Sequence, residues 1–115
     1  MAIIFNKAAL AHAKYLIEHS QVVHDDRKAY SEVIIDRDDM VRYINTHSIQ
    51  EYGKWFLGID TEKPQDHLDR YVLPYGDFNV VHRSILLELE EQVSKNGHHE
   101  ILQAVRELLE LTKKK

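Results

Sequence analysis

Apolar residues recur with a helical period over most of this chain, and the recurrence is sharpest after Asp77. Phe78, Val81, His82, Ile85, Leu86, Leu89 and Val93 fall on one helical face, with Glu88, Glu90 and Glu91 on the other. Lys95-Asn96-Gly97 stops that segment, with Gly97 at the position where a left-handed residue closes a helix. Ile101, Leu102, Val105, Leu108 and Leu109 then share the inner face of a last helix, with Leu111 off that face. The two segments predict a C-terminal helical hairpin with a tight turn.

The first half is patterned in shorter stretches. Asn6 suits an N-cap, and Phe5 with Leu10 makes a hydrophobic staple. Ala9, Ala13, Leu16 and Ile17 fall on one face of a helix from about Lys7 to His19. Asp36 caps a second helix, Asp38 and Asp39 favour its first turn, and Met40, Val41 and Ile44 form its buried stripe. Ser48 to Glu51 reads as a capping box opening a short helix that carries Tyr52, Trp55 and Phe56 and ends at Gly58. A polar loop containing Pro64 follows. Gln21 to Ile35 is the weakest stretch. Its β-branched runs Val22-Val23 and Val33-Ile34-Ile35 are compatible with a short hairpin near 21–35, but no Asn-Gly or Asp-Gly turn joins them, so it reads mostly as loop. The pattern as a whole predicts an all-α fold of about five helices in one compact domain over residues 1–115.

With 115 residues, 43% of them hydrophobic and 30% charged, the chain is long enough for one domain with its own core and too short for two. No apolar run approaches the roughly 18 residues of a membrane span. "MAIIFNKAAL" lacks the basic start and long apolar middle of a secretory signal, and Cys is absent, so a cytoplasmic protein of bacterial type is expected. A net charge of −4 and the lack of a basic face argue against nucleic-acid binding. Lys113-Lys114-Lys115 is accounted for by the dipole of the helix it follows.

Motifs with known mechanics are missing: there is no G-x-S-x-G, Walker loop, G-x-G-x-x-G or H-E-x-x-H. The acidic start of "DRDDMVRYINTH" fails as a calcium loop because Met40 occupies the fifth position. His98-His99-Glu100 holds ligand-type side chains. They point about 100° apart on a helix, and the turn lies about 18 Å from His82 at 1.5 Å per residue, so no metal or other cofactor is expected. Asp77 and His82 stand five apart, too far round a helix to pair. No catalytic residue is assigned.

"YVLPYGDFNVVHRSI" from Tyr71 holds the best candidate site. Pro74 biases Leu73 toward extended backbone, Tyr75-Gly76 turns the chain, and Asp77 caps a helix from Phe78. That leaves His82 and Arg83 beside a local surplus of aromatics. A lone His on an apolar face is usually a core residue with one hydrogen bond. The functional reading is a ligand-binding pocket of Trp55, Tyr71, Tyr75, Asp77, His82 and Arg83, where Arg83 and helix N–H groups would hold a small anionic ligand. "YGKWFLGID" from Tyr52 and "YVLPYGDFNVVHR" resemble a pattern in small uncharacterised bacterial and phage-associated helical proteins. The resemblance runs from Tyr52 through the final helix, implies a helical organisation and gives no catalytic residue to transfer.

Two function classes follow. The first is a non-enzymatic module for protein interaction or a small ligand, self-associated as a homodimer that buries surplus apolar surface. The second is a small His-dependent or metal-dependent hydrolase centred on His82. No membrane partner is expected.

Overall fold

A computed structural model describes residues 3–114, the Arg27 side chain excepted; Met1, Ala2 and Lys115 lie outside them. In chain order the elements are β1 (Ile3–Phe5), α1 (Lys7–Glu18), β2 (Val22–Val23), α2 (Tyr30–Val33), α3 (Arg37–Thr46), α4 (Ile49–Gly53), β3 (Phe56–Asp60), β4 (Tyr71–Pro74), β5 (Val81–His82), α5 (Arg83–Asn96) and α6 (His99–Lys114). Short 3₁₀ turns precede α2 and β4. The fold is therefore mixed α/β, which corrects the all-α expectation.

The correction centres on β3. It is the middle of an antiparallel sheet ordered β1-β3-β4, with Phe5 opposite Gly58 and Gly58 opposite Val72. Phe56 and Leu57 are both fully buried, so the strand is covered on both faces. Such a strand reads as a continuous apolar run, without the alternation that marks a half-exposed one. Gly58 lets the flanking strands close over it: a Cβ there would stand 2.9 Å from Val72 Cγ2 and 3.0 Å from Ile3 Cγ2.

A second correction concerns residues 21–35. Val22–Val23 does not pair with its neighbours in sequence but runs parallel to β5, Val22 opposite Val81 and Val23 opposite His82. Val33 belongs to the short helix α2, so no hairpin forms there. A third is the start of α5, which begins at Arg83 rather than Phe78.

The helical expectations elsewhere hold in outline. Gly97 adopts φ 75° at the end of α5, the left-handed geometry Gly reaches without steric cost, and α6 then packs along α5. Helix α1 buries Ala9, Ala13, Leu16 and Ile17 against α6 and β3. Asn6 stands at its N-cap, yet its amide caps nothing; Nδ2 donates to the carbonyls of Gly53 (2.9 Å) and Phe56 (3.0 Å), tying the helix start to the sheet. Asp36 and Asp39 form the reciprocal capping box of α3. That helix buries no residue completely, and Val41, expected in its buried stripe, is exposed. Among the described residues no helix is long and apolar enough to cross a membrane.

Candidate functional site

Between β4 and α5 the chain is extended and turned, not helical. Leu73 has φ 65° and Phe78 φ 70°, a left-handed backbone that bulky side chains rarely adopt. Asp77 closes the turn that contains Phe78: Oδ1 accepts the N–H groups of Asn79 (3.0 Å) and Val80 (2.9 Å). His82 then enters β5, donating its N–H to the Tyr75 carbonyl (3.3 Å). Asp77 thus caps a turn instead of a helix, which is why the five-residue spacing does not keep it from His82.

His82 is 6% exposed, and its imidazole lies between two carboxylates. Its Nε2 is 2.8 Å from Asp77 Oδ2 and its Nδ1 is 3.0 Å from Asp25 Oδ2. Asp25 also serves the start of α5. Its Oδ1 accepts the Ser84 N–H at 2.7 Å, and its carbonyl accepts from Arg83 Nη1 at 3.3 Å. The helix is capped by a side chain 59 residues away.

Burial alone would raise both carboxylates. For Asp25, hydrogen bonds from the Ser84 N–H and His82 outweigh that and hold it below its ordinary value. For Asp77, His82 and the turn N–H groups do the same. The Ser84 hydroxyl also favours the Asp25 charge, although it is fully buried and outside hydrogen-bonding geometry with any described residue. A lowered folded-state value means stability that is complete above the unfolded value and lost as pH falls through the folded one. Urea unfolding followed by Trp55 fluorescence is therefore expected to give constant stability from about pH 7 to about pH 5 from these two groups, and a decline below about pH 4. Asp25→Asn with Asp77→Asn should flatten that decline.

The aromatic candidates are brought together, but as packing. Trp55 is 4% exposed, stacks on Tyr75 at 5.5 Å and donates Nε1–H to the Tyr43 hydroxyl at 3.3 Å. The Tyr75 hydroxyl donates to the Lys54 carbonyl (2.7 Å) and accepts from His12 Nδ1 (2.8 Å), which fixes that histidine's tautomer. Burial raises the Tyr75 phenol well above its ordinary value and lowers His12. Tyr71 sits apart over Gly53, where a Cβ would lie 2.5 Å from its ring. Arg83 lies in a separate groove with Leu87, Glu90 and Arg106. The six sequence candidates therefore do not line one pocket.

An open groove of about 360 Å³ lies instead between α3 and the Asp77–Asn79 turn. Arg42, Tyr43, His47, Asp77, Phe78 and Asn79 line it. Tyr43 is sandwiched in a ring column, 3.9 Å from His47 and 4.5 Å from Phe78 with interplanar angles of 9° and 13°. Asp77 connects the groove to buried His82. Sequence reasoning missed Asp25, Tyr43 and His47 as partners of this region; only the Tyr43–His47 helical spacing carried a local signal.

Among the described residues no three His, Asp or Glu side chains converge on a cation position. Asp25 and Asp77 face opposite ring nitrogens and do not converge either. No protein-family description matches the chain, and no curated protein and no solved structure is significantly similar to it.

A buried hydroxyl lies close to the site. Tyr52 is fully buried, its hydroxyl has no hydrogen-bond partner among the described residues, and burial followed by the nearby Asp69 charge pushes it up to about 12. Tyr52→Phe removes an unmet desolvation cost and should raise unfolding stability by up to about 1 kcal/mol. A loss of that size in urea titration would show that the hydroxyl is partnered.

Proposed function

We propose that the protein is a non-enzymatic binding module that seats a small ring-bearing ligand, or an aromatic side chain of a partner, in the groove between α3 and the Asp77–Asn79 turn. The observation that carries this reading is the ring column of His47, Tyr43 and Phe78 in a groove that also holds Arg42, Asp77 and Asn79. Aromatic walls with a few polar groups suit a planar ligand with a polar edge. The small anionic ligand expected from the sequence fits only so far as Arg42 takes its charge, since Arg83 lies elsewhere.

N-acetyltryptophanamide and indole-3-acetate, titrated into ¹⁵N-labelled protein, test this directly. Shifts concentrated at Tyr43, His47, Phe78 and Asn79 are expected, and a stronger effect of indole-3-acetate would mark an anionic preference. Shifts elsewhere, or none at millimolar probe, would end the reading.

The hydrolase is the second reading, favoured by the two carboxylates at His82. It is weaker because a general base must face its substrate, and His82 is buried behind the two carboxylates. A homodimer remains part of the proposal. The exposed apolar side chains Ile4, Tyr15, Val23, Ile34 and Val41 are spread over several elements, and a monomer mass in sedimentation velocity would remove it.

A further inference from the structure

We infer that the Asp25–His82–Asp77 contact is a proton-controlled latch that holds the Asp77–Asn79 turn, and with it the Phe78 wall of the groove, in place; its bearing on ligand rests on the groove reading above. The reason lies in the hydrogen-bond inventory. A carboxylate only accepts, and imidazole carries two N–H groups only when charged. Contacts of 2.8 Å and 3.0 Å to carboxylate oxygens on both sides of one ring therefore describe the doubly protonated form. Loss of one proton leaves a nitrogen lone pair facing a carboxylate, and one side must let go.

The surroundings decide which side. Asp25 is held without His82, because its Oδ1 takes the Ser84 N–H and its carbonyl takes Arg83. Among the described residues, Asp77 Oδ2 is bonded to His82 alone, while Oδ1 serves the turn's own N–H groups. The Asp77 side chain is also the most exposed of the three at 31%, against 13% for Asp25 and 7% for His82. So Nδ1 keeps its proton for Asp25, and Nε2 releases its proton and Asp77. The freed turn contains Phe78, whose left-handed backbone needs holding in place.

Other titratable groups nearby are engaged elsewhere. His24, beside Asp25, bonds the Thr112 carbonyl on α6 through Nε2 (2.9 Å), and His12 on α1 faces Tyr75. Arg83 reaches the Asp25 carbonyl from α5. The lowered carboxylates agree with this geometry, since both stay charged while the ring gains or loses its proton.

Imidazole ¹⁵N spectra of the full chain from about pH 5 to about pH 9 test the latch without any ligand. Nε2 of His82 is expected to deprotonate at a midpoint shared by the Asn79 and Val80 amide shifts, with the Ser84 amide unmoved. N-acetyltryptophanamide should bind at least about fivefold more tightly below that midpoint than above it. In Asp77→Asn, His82 should still titrate while the Asn79 and Val80 amides no longer follow it. The latch is overturned if Nδ1 is the nitrogen that deprotonates, if the ring keeps both protons throughout, or if the turn amides ignore its midpoint. Equal probe affinity on both sides overturns control of the groove. A probe that binds at no pH, with turn amides that follow His82, sinks the ligand reading and leaves the latch standing.

Discussion

His82→Ala is expected to lower unfolding stability by about 3 kcal/mol near neutral pH, because it leaves two buried or half-buried carboxylates facing an empty space. The bridge joins the loop before α2 to the turn before β5, and through Asp25 it also steadies the first turn of α5. Urea unfolding read by Trp55 fluorescence measures the change. The loss should be clearly smaller when His82→Ala is combined with Asp25→Asn and Asp77→Asn, since the uncompensated charges are then gone. A cost under about 1 kcal/mol for the single substitution would mean that the bridge is not what holds these segments together.

Gly76→Ala should be almost as damaging, at about 2–3 kcal/mol, for a steric reason. An added Cβ would overlap the Val80 carbonyl oxygen and stand 2.9 Å from Trp55 Cζ3. Neither neighbour gives way easily: the carbonyl belongs to the Asp77–Val80 turn, and Trp55 is packed between Tyr75 and His12. A lower melting temperature with altered Trp55 emission is the expected signature. Unchanged emission would show that the turn, not the indole, moves aside.

Both substitutions fall where sequence reasoning stopped. The helices α1, α3, α5 and α6 were legible because periodic apolar faces, Asp36 and Gly97 act through residues a few positions apart. β3 was hidden because burial on both faces erased its alternation, and the capping box at Ser48 pointed to a helix running through Trp55 and Phe56. That helix does form, but it ends at Gly53. Asp77 is a capping residue, but of a turn and not of a helix, and Phe78, Val81 and His82 match helical spacing without forming one. Asp25 gave no signal at all. Its role depends on a partner 57 residues away, and the weakly patterned loop around it has no local rule to break.

Pairing between distant strands also bears on how the chain is made. β1 must wait for β3 and β2 for β5, so neither early strand can pair until the ribosome has released residues beyond Asp60 and His82 respectively. At roughly 5–20 residues per second, Val22 and Val23 wait about three to twelve seconds for their partners. During that interval α1 can meet β3 once Asp60 is out, but the face it turns to α6 stays uncovered. Release of the chain up to Val80 leaves β2 without a partner, whereas release of a few residues past Arg83 puts every strand of both sheets outside the ribosome while α5 and α6 are still to come.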